Sequence, residues 1–135
     1  MKSPATLPDT NAVLRYLLHD NEEQFVEANA FFENVRTGKT TCIISESVLV
    51  ECQYILAKYY QVSRNDISGN LTTLLQYKGI VNQDREVLLG ALALFVETSL
   101  DPVDCLLAAR SNVSGNPVLT FDKALNRVIR EANQS

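Results

Sequence analysis

Apolar positions along the chain recur with two different spacings. From residue 22 to 37, Phe25, Ala28, Phe32 and Val35 fall three or four apart, which is the spacing of one helix face. Ser63 opens a segment with the same rhythm at Ile67, Leu71, Leu74 and Leu75. Asp84 opens another with Leu88, Leu92, Phe95 and Val96, and the last carries Leu125, Val128, Ile129 and Ala132. Residues 10–18, a stretch from Ser45 or Ser47 to about Tyr60, and the segment that Asp101-Pro102 opens, to about Ser111, also read as helices. Gly38 suits the position just past a helix end, and serine suits the N-cap. Between these segments lie short β-like runs at 5–7, 41–44, 79–81 and 117–121. Short strands alternating with helices predict an α/β fold, a parallel sheet covered on both faces. No repeat, low-complexity run or linker breaks the pattern, and 135 residues suit a single domain, 1–135.

Composition narrows the class. No stretch approaches the roughly 20 apolar residues of a membrane span, and residues 1–8 lack the apolar core of a secretory signal. The expected compartment is the cytoplasm, with no membrane partner. Cys42, Cys52 and Cys105 are widely spaced, and His19 is the only histidine, which argues against a zinc site or a disulfide framework. The cysteines are expected to be small buried hydrophobes, and His19 a surface residue without a role. The net charge of −4 disfavours strong nonspecific binding to nucleic acid. It leaves room for a nuclease, because carboxylates that bind divalent cations present positive charge once loaded.

In open α/β sheets, ligands bind beyond the carboxyl ends of the strands. Four carboxylates stand there. Asp9 follows the first strand, Glu51 lies early in the third helix, Asp104 is in the first turn after Asp101-Pro102, and Asp122 follows the last strand. Asp9 and Asp122 also suit plain N-caps, and Asp101 with Asp104 suits a capping arrangement with Pro102 at the first helical position. Glu51 fits a structural role least. With Val48, Cys52, Ile55 and Tyr59 as the apolar stripe, it lies beside that stripe and is expected to face inward. An inward carboxylate costs several kcal/mol unless it is paired or bound to a cation. No Lys or Arg lies one turn away, and Lys58 is roughly 10 Å along the axis. If the four acids converge, their repulsion is relieved by protons or by a divalent cation, and oxygen-only ligands select Mg²⁺ or Mn²⁺.

These residues carry a family resemblance. Leu7-Pro8-Asp9-Thr10-Asn11-Ala12-Val13-Leu14-Arg15-Tyr16-Leu17 resembles the opening of a PIN domain, especially of the VapC-like toxins. Ser45-Glu46-Ser47-Val48-Leu49-Val50-Glu51-Cys52, Asp101-Pro102-Val103-Asp104-Cys105-Leu106-Leu107-Ala108-Ala109 and Leu119-Thr120-Phe121-Asp122-Lys123 resemble its later acidic motifs, in family order. The resemblance implies a PIN-like three-layer α/β/α sandwich with a central parallel sheet of four or five strands. It implies Asp9, Glu51, Asp104 and Asp122 as catalytic metal-binding acids, with Thr10, Asn11 and Thr120 as polar supports. It implies a Mg²⁺- or Mn²⁺-dependent endoribonuclease acting on RNA, usually a homodimer, held inactive by a cognate antitoxin protein. A non-catalytic binding module of the same fold and a housekeeping RNA-processing nuclease are the alternatives. The departure is Pro8, where the family usually has an aliphatic residue. Proline has no N–H for a sheet ladder, so the first strand is expected to be short.

Among the remaining candidates, Arg15 is either an RNA-phosphate contact or a surface or antitoxin-facing charge. Lys123, Arg127 and Arg130 recur at helical spacing and read foremost as a solvated face, with a phosphate-contacting stripe as the alternative. Phe25, Phe31 and Phe32 read as core and interface aromatics rather than platforms for bases.

Overall fold

The computed structural model describes residues 3–133. They fall into two compact units, one ending at Gln83 and one beginning at Asp84. No helix among them is long and apolar enough to cross a membrane.

The first unit holds α1 (Thr10–Leu18), α2 (Glu22–Thr37), α3 (Glu46–Lys58) and α4 (Arg64–Leu75). Their ends follow the chemistry of the sequence. Asp9, Asn21 and Ser63 accept from the backbone N–H three residues on, satisfying donors that a helix start leaves free. Gly38 closes α2 in the left-handed region at φ 86°, where its N–H reaches the Asn34 and Val35 carbonyls. α1 packs on α2 and α3, and α3 on α4.

Between the helices runs a parallel ladder three segments wide and one residue long. Cys42 bridges Thr6 on one side and Ile80 on the other. The Cys42 N–H donates to the Gly79 carbonyl at 2.8 Å, and its carbonyl accepts from Val81 N at 3.0 Å. Thr6 donates to Thr41 O and accepts from Ile43 N, each at 3.0 Å. The three expected strands therefore align in parallel, but only as bridges. Pro8 gives one reason, since it has no N–H with which to extend the first. The other lies at Ile44, whose N–H and carbonyl are taken by the Asn82 side chain at 3.0 and 2.8 Å, an amide standing in for a strand. Cys42, Ile44 and Ile80 are buried, so the ladder lies in the core of this unit.

α3 corrects the sequence reading. Its buried residues are Leu49, Cys52, Gln53 and Leu56, whereas Tyr59 is 80% exposed. The inward face is rotated from the expected Val48, Cys52, Ile55 and Tyr59 stripe. Gln53 is thereby buried, and its Nε2 finds no acceptor among the described residues.

The second unit contains α5 (Arg85–Glu97), α6 (Pro102–Ser114) and α7 (Lys123–Asn133), with α6 packed on both others. The strand expected at 117–121 is not formed among the described residues. Pro117 cannot donate to a ladder, and Leu119 and Phe121 are 90% and 94% exposed. The fourth or fifth strand of the expected sandwich is thus absent there.

Two substitutions test this packing. A Cβ at Gly79 would collide with the Thr40 carbonyl oxygen and stand 2.8 Å from that of Val35, both backbone atoms that cannot swing aside. Gly79→Ala is expected to lose about 3 kcal/mol or more in urea denaturation, at the upper end for overpacking. Gln53→Met keeps similar volume and removes a buried donor without a partner. It is expected to gain about 1 kcal/mol in the same measurement.

Candidate metal centre

Asp9 stands at the carboxyl end of the Thr6 segment, where the chain turns into α1. Its Oδ1 accepts from Ala12 N at 2.8 Å. The plain capping role is therefore real, and it occupies one oxygen only. Oδ2 carries no hydrogen bond among the described residues and faces an exposed position.

Glu51 lies on α3 in the same unit, but its side chain is exposed. The expectation of an inward carboxylate fails for a geometric reason. At about 100° per residue, Glu51 is some 150° from the middle of the face formed by Leu49, Cys52, Gln53 and Leu56. No burial cost attaches to its charge, and burial gives no argument for a cation at Glu51.

In the second unit Asp101, Asp104 and Asp122 interact. Asp101 Oδ1 caps α6 by accepting from Asp104 N at 2.9 Å. The Asp104 carboxylate does not reciprocate, and no hydrogen bond to it occurs among the described residues. Its pKa is raised by burial first, then by the charge of Asp101, then by that of Asp122. Asp122 caps the start of α7, Oδ1 accepting from Leu125 N at 2.8 Å, and is otherwise exposed. Thr120 supports it, since its hydroxyl accepts from Asp122 N at 3.1 Å. The Thr120 carbonyl is fixed in turn by the Asn126 amide at 3.0 Å.

Thr10 is the first residue of α1, and Asn11 lies exposed beside it. Arg15 has partners of its own. Its Nη1 pairs with Asp20 at 2.7 Å, and its Nη2 donates to the Tyr60 hydroxyl at 3.4 Å. Tyr60 donates onward to Asp20 at 3.2 Å. The hydroxyl of Tyr60 does most to raise the Arg15 pKa; burial opposes it and Asp20 adds to it. Both partners lie in the first unit, so the guanidinium is held in place there. Tyr60, 45 residues away, left no sign of this in the sequence. Lys123, Arg127 and Arg130 are exposed, as a solvated face requires. All three cysteines are buried thiols, and burial pushes those of Cys42 and Cys52 up to about 12.

Among the described residues no group of three or more His, Cys, Asp or Glu side chains is arranged to hold a metal ion. The donor chemistry nonetheless fits a hard cation. Asp9 and Asp122 each keep an oxygen beyond the cap, and Asp104 bears a charge that its neighbours disfavour and a cation would relieve.

The sequence matches the PIN domain family over residues 6–131, and the chain belongs to that family. PIN domains are generally nucleases, and they generally use divalent metal ions. No curated protein and no solved structure matches the chain.

The Asp104 environment has a consequence for stability. A carboxyl whose pKa is raised on folding binds its proton more tightly in the native state. Its ionised form therefore weakens the fold above the raised value, and the loss is recovered as pH falls through that value to the ordinary aspartate range. Asp104→Asn in EDTA is expected to melt at or a few degrees above wild type at pH 7, the gap closing as pH falls to that range. Circular dichroism melts across pH check this.

Proposed function

We propose that the chain is a Mg²⁺- or Mn²⁺-dependent endoribonuclease, the toxin of a toxin–antitoxin pair, working in the cytoplasm as a homodimer. In this reading Asp9, Glu51, Asp104 and Asp122 are the catalytic metal-binding acids of a single domain of the α/β/α type. Family membership supports the nuclease. The observation that carries the site is Asp104, a carboxylate with no hydrogen bond among the described residues, loaded by two neighbouring aspartates. A plain capping residue is not placed in that way.

A bound divalent ion supplies charge neutralisation and activates water for hydrolysis of a phosphodiester. The rest falls to the chain. Asp9 and Asp122, held by one oxygen each, present the other in a fixed direction. Asp101 orients Asp104 through the first turn of α6, and Thr120 holds the backbone at Asp122. Water adds to phosphorus and the bond to the 3′-oxygen breaks, leaving 5′-phosphate and 3′-hydroxyl ends. Arg15, already paired, is left out of the mechanism.

Asp9→Asn keeps most capping ability but is a poor ligand for a hard cation. It is expected to lower cleavage of single-stranded RNA in Mg²⁺ or Mn²⁺ by more than about 100-fold, beyond what loss of an outer-sphere partner costs. Glu51→Gln is expected to do the same without unfolding the chain, since Glu51 is exposed. Induced wild type should arrest growth and neither variant should. A folded wild type that cleaves no RNA with either metal overturns the nuclease, and full activity in Glu51→Gln removes that residue from the site.

A further inference from the structure

Between α1 and α2, beside Asp9, lies a cleft of about 380 Å³. Its size is at the lower end of the roughly 300–1,000 Å³ of ligand pockets. Two helix stripes build it. Asn11 and Arg15 are one turn apart on α1, while Gln24, Glu27 and Phe31 share a face of α2 within about 60°.

One wall is aromatic and braced from behind. The half-buried Phe31 ring meets Phe32 edge to face at 4.9 Å, and Phe32, fully buried, stacks on Tyr16 at 4.7 Å. The Tyr16 hydroxyl is tied to Tyr77 at 2.7 Å and to Glu33 at 3.2 Å. Such a wall loses little freedom when a flat ligand meets it. The sequence pointed to a core or interface role for all three phenylalanines. Phe32, fully buried at the back of the cleft, fits it, whereas the half-buried Phe31 keeps part of its ring open.

The charges select the ligand. Asp9 and Glu27 line the cleft, and neither has an ion-pair partner among the described residues. Arg15, its one cation, is already neutralised by Asp20. A phosphate group is therefore disfavoured inside. A flat, uncharged ring with amino hydrogens is favoured, since a carboxylate accepts from an exocyclic amino group. Gln24 and Asn11 offer both donors and acceptors, and the buried Arg15 Nε–H has no acceptor among the described residues.

We propose that this cleft is a base subsite, taking an amino-bearing nucleobase (adenine, cytosine or guanine) of the single-stranded RNA whose backbone passes Asp9. Phe31 stacks on the base, and Glu27 accepts from its amino group and so discriminates against uracil. The inference rests on the nuclease reading for its substrate, and the test separates the two.

One arm is cleavage of a randomised single-stranded RNA pool with Mn²⁺, the ends being sequenced. Wild type is expected to enrich adenine, cytosine or guanine over uracil at least five-fold at one position near the cut. Phe31→Leu keeps the apolar volume and removes the ring. It should raise KM by about 5- to 150-fold, the equivalent of the roughly 1–3 kcal/mol of one stacked base, with kcat changed little. Glu27→Gln should abolish the enrichment over uracil. The other arm needs no activity. Titration of ¹⁵N-labelled wild type in EDTA with the tetraribonucleotide ACAA should shift amides of α1 and α2, and UUUU should shift them far less. Binding in the cleft without any cleavage keeps the subsite and removes the nuclease. Cleavage with unmoved cleft amides, or with KM and enrichment unchanged in both folded variants, overturns the subsite and leaves the cleft to a peptide.

Discussion

The pairing of Cys42 with both neighbours sets the layout of the first unit. Its N–H and carbonyl are used on the Ile80 side, while Thr41 and Ile43 serve Thr6. Three chain segments are thus fixed in parallel at one level, with their carboxyl ends on the same edge. Asp9 follows Thr6 by three residues, and Ser45 follows Cys42 by three, so α1 and α3 both begin there. The close approach at Gly79 ties the end of α2 to the same ladder. A sheet one residue long is enough to aim these helices because each end is finished by side chains, Asn82 at Ile44 and Asp9 at Ala12.

Capping and cation binding are usually weighed as rival explanations of an acidic residue at a helix start. In Asp9 and Asp122 the two are compatible, because the cap leaves one oxygen unbonded among the described residues. A cap takes one carboxylate oxygen and fixes its plane, which leaves the second oxygen directed but unspent. Asp101 shows the purer case, and Asp104 the opposite one, with no hydrogen bond to its carboxylate among the described residues and two acids beside it. What distinguishes them is the local potential, not the residue type.

The helices were legible because caps and apolar spacing agreed. α1, α2 and α4 begin where Asp9, Asn21 and Ser63 place them, and α6 runs three residues beyond its expected end, to Ser114. The strands were legible in position but not in length, since Asn82 replaces a backbone partner and no local pattern signals that. α3 misled because nearly every residue from Val48 to Leu56 is apolar, so two faces compete and only tertiary packing chooses Leu49 over Val48. Glu51 inherited that error. Asp9 and Asp122 were legible as caps, and Asp101 with Asp104 as one capping arrangement, because acids at helix starts satisfy free N–H groups. The Arg15–Tyr60 contact joins segments distant in sequence, and nothing local announces it; the cleft with Glu27 and Phe31 depends on how the consecutive helices α1 and α2 pack.

The three thiols sealed in the core have a practical consequence. With Cys42 and Cys52 held near pKa 12 and Cys105 buried, the native protein offers almost no thiolate to an electrophile or an oxidant. Alkylation at these positions waits on local opening of the chain. Each cysteine is therefore a built-in clock for a different place, Cys42 for the ladder, Cys52 for α3 and Cys105 for α6. The order in which they become labelled would report which of these elements loosens first.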